Sequence, residues 1–415
     1  MYKIFIITNS YPYAVGEEFF HPELECWAER ADCVVTLLPL KKGGKARKVP
    51  QNVHVNSSLA ITHKRDRYFY SLAAVFSSFF WSEFRILWGR RGVTPKSIRS
   101  LLITVGAFLR IKSRLKKVVC SEKDPLVLYT YWSDVSAYAA CLLKRDNQNI
   151  KVAARAHGYD LYEERRVSKY MPLKRRFAPL FDRLFVLSKG AKTYAVERYG
   201  FSTEQIQVSP LGVTVPSPLA PEPKDGNAVI LTLSYCVELK RLEKVADALA
   251  IWGQHNQQAR LQWVHIGGGP LYEFLRKYAE DKIGGVPNVS FEFKGHLSGN
   301  EIQEFLLKNE ISLILNVSDS EGMPVSLMEA MAVGIPAIAP DVGEISELVS
   351  PANGWLLGKK PGPMEIAEAI DRVLNANNYS EMRENARKKI ESAFVAEANF
   401  TRHISSVVSM INIQK

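Results

Sequence analysis

The chain has 415 residues, 47% of them hydrophobic and 23% charged, which is too long for one ordinary core and suits two domains of about 150 to 200 residues each. Its five cysteines (Cys26, Cys33, Cys120, Cys141, Cys236) are odd in number and never spaced as Cys-x-x-Cys, so neither a disulfide framework nor a zinc site is indicated, and a reducing cytoplasm is expected. The formal net charge of +11 rests on one stretch, because residues 41 to 118 hold 18 Lys and Arg against only Asp66 and Glu83.

In chain order, "MYKIFIITNSYPY" runs straight into an apolar strand pattern, with no charged leader and no small-residue cleavage site, so no secretion signal is expected. Short β-branched runs follow at 2–8, 33–40, 125–131, 150–158 and 183–188, alternating with longer helical patterns; this alternation predicts parallel strands with crossover helices. Inside the basic region, "YFYSLAAVFSSFFWSEFRILW" (68–88) is rich in aromatics and carries no charge from Tyr68 to Ser82. Glu83 and Arg85 interrupt it, and a membrane span needs about 20 apolar residues. Basic flanks beside such a segment predict a helix lying on an anionic bilayer, with Lys112, Arg114, Lys116 and Lys117 as the expected docking cations; core helices with solvated basic ends are the plainer alternative. Nucleic acid is not expected as a partner, since no zinc-finger spacing or RNP-like aromatic motif accompanies the charge.

Four prolines between Pro216 and Pro223, followed by "KDGN", break the pattern and read as a linker over 216–227. The alternation restarts at 228–234, 261–269, 289–295, 311–318 and 335–340. The predicted architecture is therefore α/β: a Rossmann-like domain over 1–215, a second over 228–395, and a helix over 396–415 expected to pack back on the first. In such folds ligands bind beyond the carboxyl ends of the strands, and the site is expected in a cleft between the two domains.

The most informative stretch is "SEGMPVSLMEAMAVGIPAIAPDVGEISELV", beginning at Ser320. A buried strand leads into a loop, and Pro324 sits where the first position of a helix tolerates proline. The start of that helix is an anion site suited to phosphate, with Gly322 permitting close backbone approach. Glu321 falls at the rim and Glu329 in the second turn. Two carboxylates flanking a phosphate site suit the vicinal hydroxyls of a ribose on one side and a sugar on the other. Taken singly, either glutamate reads as a solvated side chain.

The whole stretch resembles the nucleotide-sugar site of family 4 retaining glycosyltransferases of the GT-B fold, whose motif has two glutamates with seven residues between them. Here it departs mainly at Ala337, Pro340 and Asp341. The resemblance implies that Glu329 binds the donor ribose, Glu321 the hydroxyls of the transferred sugar, and the backbone of Gly322, Met323, Pro324 and Val325 the phosphates and sugar. "SYCVELKRLEKVADALA" (234–250) is similar to the family's loop in which an arginine and a lysine clamp the diphosphate: Lys240 matches the lysine, Tyr235 stands where the arginine is expected, and Arg241 is the candidate replacement. "HIGGGP" resembles the family's glycine turn, with Gly268 beside the nucleotide, and "FEFKG" the base pocket, with Phe293 and Lys294 making contact mainly through backbone. In the first domain "ARAHGYDLYEERR" puts Arg155, His157 and Asp160 at a strand end. The resemblance makes His157 a contact of the transferred sugar, and Asp160 is a candidate for positioning the acceptor, with a structural turn role as the alternative. "NSYPYAVGEEFF" resembles the family's glycine loop, with Gly16 near the phosphates and Glu17 near the acceptor, although the usual double glycine is absent.

The expected function is that of bacterial enzymes building capsular, exopolysaccharide or lipopolysaccharide chains: transfer of a sugar, with retention, from a nucleotide diphosphate sugar to a saccharide or lipid-linked saccharide acceptor. His157, Lys240 and Glu321 are the expected catalytic residues. No Asp-x-Asp pair occurs, so no metal and no cofactor are expected, and the enzyme is expected in the cytoplasm on the inner face of the membrane. A phosphorylase using a lysine-bound pyridoxal group lacks a motif here. An inactive GT-B scaffold that binds nucleotide-sugar or nucleic acid is the remaining alternative, favoured only by Tyr235.

Overall fold

A computed structural model describes residues 1–13, 17–61, 64–90, 92–166, 168–224 and 226–412. The chain divides into two units, Met1–Pro210 with Glu397–Lys415 and Leu211–Ala396. The first unit is built on a seven-stranded sheet of β1 (Tyr2–Thr8), β2 (Cys33–Pro39), β3 (Val53–Val55), β4 (Leu126–Thr130), β5 (Ile150–Ala156), β6 (Arg183–Val186) and β7 (Ile206–Val208). These run in the order β3-β2-β1-β4-β5-β6-β7 with every pairing parallel. The order reverses between β1 and β4, which makes that junction the unit's switch point.

Alternation along β1 shows how the sheet is buried on both faces. Phe5 and Ile7 join one core, with Leu101, Phe108 and Leu115 of the helix Pro95–Val119, while Ile4 and Ile6 join the other. That second core is completed by Ile404, Val407, Val408 and Met410, so the C-terminal helix Ala396–Asn412 packs on this sheet. A fully buried polar cluster ties it there: Arg155 pairs with Glu23, whose Oε1 accepts from the Tyr129 hydroxyl at 3.0 Å, while the Ser209 hydroxyl meets both Arg155 Nη2 and His403 Nδ1 at 3.1 Å. Arg155, placed at a strand end by the sequence, is thus consumed inside the core.

The second unit repeats the design with β8 (Asn227–Leu233), β9 (Arg260–Ile266), β10 (Val289–Gly295), β11 (Leu313–Leu315), β12 (Ala337–Pro340) and β13 (Gly354–Leu357), all parallel in the order β10-β9-β8-β11-β12-β13. Its switch point lies between β8 and β11. The proline-rich segment is held against this unit: Ala220 is buried, its N–H donates to Val333 O at 2.9 Å, and Arg383 and Arg387 donate to the carbonyls of Ala220 and Pro216 at 2.6 Å each.

The basic region forms helices Lys64–Val75, Ser78–Gly89 and Pro95–Val119. Tyr68, Phe69, Leu72, Phe76, Trp81 and Trp88 stand exposed on the first two and the turn between them, Phe76 at 86%. No helix among the described residues is long and apolar enough to cross a membrane. Of the cations expected at a docking face, Lys116 and Lys117 are exposed, but Arg114 is spent on Asp66 and on the carbonyl of Ala60, and Lys112 is half-buried.

Candidate active site

The loops after β8 and β11 carry the motif residues, and the switch point between those strands brings them together. Lys240, 81 positions before Glu321 in sequence, donates to Glu321 Oε1 at 2.5 Å. Asn316, which follows β11, donates through its side-chain Nδ2 to the same oxygen at 3.0 Å, and its side-chain Oδ1 accepts the Ser318 N–H at 2.9 Å. Glu321 is buried, which by itself would raise its pKa; the Lys240 charge and hydrogen bonds from Lys240, Asn316 and Ser318 outweigh burial and hold the carboxyl below its ordinary value. Glu321 is therefore an ionised group locked in place. Beside it lies a void of about 10 Å³ lined by Ser234, Lys240, Asn316, Ser318 and Ser326, about the room one water requires.

The helix runs Val325–Ala332, with Pro324 at its N-cap in an extended conformation (ψ 109°). The sequence had placed Pro324 one position later, inside the first turn; the extended ψ ends the loop instead and leaves the following N–H groups at the helix start. Glu329 lies in that helix, half-buried, and carries no hydrogen bond or ion pair among the described residues. Burial alone pushes its pKa up to about 7. A carboxylate in this state is an unused pair of acceptors.

Two further contacts set this geometry. Gly343 has φ +57° and packs so tightly on the Glu321 carbonyl that a Cβ would lie 1.9 Å from that oxygen, which fixes the loop from behind. In the glycine triplet Gly267 (φ +148°) and Gly269 (φ +142°), not Gly268, take the special conformation, with would-be Cβ atoms 1.8 Å from Ser234 O and 2.7 Å from Cys236 O. The triplet therefore serves the close approach of the β8 loop.

Several of the expected contact residues make side-chain contacts of their own. Arg241 adopts φ +50° and turns its guanidinium to Glu243 at 2.6 Å and Asp319 at 3.4 Å, while Tyr235 is exposed. The Phe293 ring packs against Trp263, His265 and Tyr272, and its carbonyl accepts the Tyr272 hydroxyl at 2.9 Å. Lys294 pairs with Glu292 at 2.6 Å.

In the first unit, Gly16 lies outside the described residues. Glu17 is buried, and its oxygens accept from the backbone N–H of Asn9, Ser10 and Tyr11 and from Trp132 Nε1, at 2.6 to 2.9 Å. Both oxygens are spent on the loop after β1, which makes Glu17 the organiser of that loop and leaves it nothing for an acceptor. Asp160 is spent likewise, Oδ1 on the His157 N–H and Oδ2 on the Ser133 N–H, both at 2.6 Å; burial pushes its pKa up to about 6, against the nearby Lys174 charge. The structural turn role is the one its contacts describe. His157 differs. Its ring sits among Phe19, Tyr131 and Trp132 at 4.6 to 5.6 Å between centroids, and neither ring nitrogen has a partner among the described residues. Burial, and then the Arg155 charge, lower its pKa to about 3, so it is a neutral imidazole offering one donor and one acceptor. The aromatic residues around it and the Asn316 and Gly343 supports were missed in sequence. A polar residue closing the buried strand "LIL" was the available signal for Asn316.

Residues 220–390 match the family of glycosyl transferases group 1. The matched stretch, under half of the chain, includes Lys240, Glu321 and Glu329. WcaL of Escherichia coli K12, named as a colanic acid biosynthesis glycosyltransferase, is 27% identical over 63% of this chain and 64% of its own length, so the match spans just under two thirds of that relative. Among solved structures, the lipopolysaccharide outer core galactosyltransferase WaaB superposes with a TM-score of 0.69 at 16% identity, over 98% of this chain and 99% of that one. Anabaena HepE in complex with UDP and glucose gives 0.65 at 15%, over 99% and 100%. The two units have the GT-B fold.

Proposed function

We propose that the protein is a retaining glycosyltransferase of bacterial surface polysaccharide synthesis, moving a sugar from a nucleotide diphosphate sugar to a lipid-linked saccharide. The observation that carries this reading is the state of the two glutamates: Glu321 ionised and clamped by Lys240, Glu329 half-buried and unpartnered in the helix that follows. Phosphates meet the N–H groups at the helix start, the ribose hydroxyls donate to Glu329, and the sugar hydroxyls donate to the free edge of Glu321. As the glycosidic bond breaks, the departing diphosphate gains negative charge, and Lys240 is the cation positioned to stabilise it without a metal. Both glutamates are occupied by hydroxyls, which leaves no nucleophile for a double displacement. Retention then follows from attack on the face the diphosphate leaves, with the leaving phosphate taking the acceptor's proton. His157 contributes a neutral donor and acceptor to saccharide hydroxyls. The exposed aromatics over 68–88 and the cations around them hold the enzyme on the inner face of an anionic membrane, where each basic residue near the surface contributes about 1 kcal/mol.

A thermal-shift screen against UDP-, GDP-, ADP- and dTDP-sugars tests the donor site. Saturation at 100 times the dissociation constant adds about 2.7 kcal/mol of stability, and the expected result is a rise in Tm with one nucleotide class that disappears in Glu329→Ala. No rise with any class, together with salt-sensitive binding of nucleic acid, supports the inactive scaffold that Tyr235 favours.

A further inference from the structure

A cavity of about 290 Å³ opens in the first unit at its switch point, between the loop after β1 (Asn9) and the start of the helix Val135–Asp146. Its wall is largely hydrocarbon, from Leu40, Ile61, Ile103 and Ile111. Three cations reach it: Lys41 and Arg67, both exposed, and Arg110, which is only 5% exposed. Nη1 of Arg110 has no hydrogen-bond partner among the described residues. The neighbouring acid, Asp66, is taken by Arg114. Asp134, which also lines the cavity, uses Oδ1 to cap its own helix through the N–H and hydroxyl of Ser136, at 3.0 and 2.8 Å. Burial, and then the Arg114 charge, work against the protonated form of Arg110, yet a guanidinium does not deprotonate in proteins. A buried charge without a partner is costly, and an anion supplied from outside removes that cost.

The chemistry of the missing partner follows from the lining. A planar guanidinium with an ammonium nearby matches phosphate oxygens, and the hydrocarbon wall matches an aliphatic chain rather than a sugar, which would call for more polar groups. The volume admits a headgroup and a few carbons. Tyr70 and Ser71 line the cavity from the helix that carries exposed Tyr68, Phe69 and Leu72, so a chain leaving it meets the same aromatic face assigned above to the bilayer. We infer that this cavity seats the phosphate and first carbons of a lipid phosphate, with Arg110 and Lys41 on the anion and the isoleucines on the chain. The inference rests on the lipid-linked acceptor proposed above and assigns that lipid a binding site.

The test uses decyl phosphate below its micelle concentration as the probe, with inorganic phosphate and decanol as separate controls, on the full chain and on Arg110→Met and Ala107→Phe, the second filling the cavity while keeping the charge. Decyl phosphate is expected to raise the Tm of the wild type at concentrations where neither control does, and both variants are expected to bind it at least about tenfold more weakly. Absence of wild-type binding, equal binding of either control, or wild-type affinity in either variant overturns the inference; if Arg110→Met does not fold, Ala107→Phe alone decides. Nucleotide-sugar binding measured in the same samples separates the two claims. A nucleotide response without a decyl phosphate response rejects the cavity and leaves the transferase reading standing.

Discussion

At the end of the first unit's sheet the carboxylates of Glu17 and Asp160 are held by backbone N–H groups, with the Trp132 indole on Glu17, and His157, whose ring nitrogens have no partner among the described residues, is neutral. At the end of the second unit's sheet Glu321 is ionised against Lys240, and the Glu329 side chain has no partner among the described residues. Two similar α/β units thus use the same residue type in opposite ways. Carboxylates in the first unit are spent on shaping loops around a neutral, aromatic-lined imidazole. Those in the second are kept available, one held by a cation, which is the arrangement a charged and hydroxyl-rich ligand requires. The contrast teaches that an acidic residue in a motif becomes a binding group only when the loop around it leaves its oxygens free.

The largest effect should come from cutting the charge in the second unit. Lys240→Met removes the cation proposed to stabilise the leaving diphosphate and is expected to lower kcat by about 10²- to 10³-fold, the usual cost of one preorganised donor at developing charge. Single-turnover kinetics at saturating donor separates this from weaker binding. A fall in affinity alone would make Lys240 a structural partner of Glu321 and erase the contrast. A smaller effect, on stability rather than rate, is expected in the first unit: Glu17→Ala strands the N–H groups of Asn9, Ser10 and Tyr11 and the Trp132 indole and should cost about 2 to 4 kcal/mol in urea unfolding. Unchanged stability would mean that these donors find other partners and that Glu17 was free for a ligand after all.

Much of this was legible in the sequence, for reasons specific to each element. β4 and β5 are buried along their length and read as apolar runs, and β8 to β10 were bounded within a residue or two, apart from the glycines after β9. The edge strands β3, β7 and β13, of three or four residues, were missed because they are too short to show a period. At the site, the motif gave Glu321 and Glu329 directly, since both lie within one loop and helix. The pairing of Lys240 with Glu321 was not legible, because 81 residues separate the partners; the resemblance gave Lys240 only as a clamp on the diphosphate. The contacts of Arg241 and Glu17 were beyond reach, and the turn role of Asp160 stood only as an alternative, because what decides them is which nearby donors or acids claim the side chain: Asp319 and Glu243 for Arg241, and the N–H groups of local turns for the two carboxylates.

In the proposed function Glu329 is a carboxylate held in reserve for a donor, and its pKa of about 7 makes that measurable. Because the folded-state value lies above the ordinary one, the folded protein binds the extra proton between about pH 4.5 and 7, and unliganded stability from this group falls as pH rises through that window. Ligand hydroxyls donate to the ionised form, so the affinity for the stabilising nucleoside diphosphate, measured by titration calorimetry, should rise by up to about tenfold from pH 6 to pH 8 and lose that rise in Glu329→Gln. Affinity that is flat across this range in the wild type, or a slope that survives in Glu329→Gln, would contradict the account.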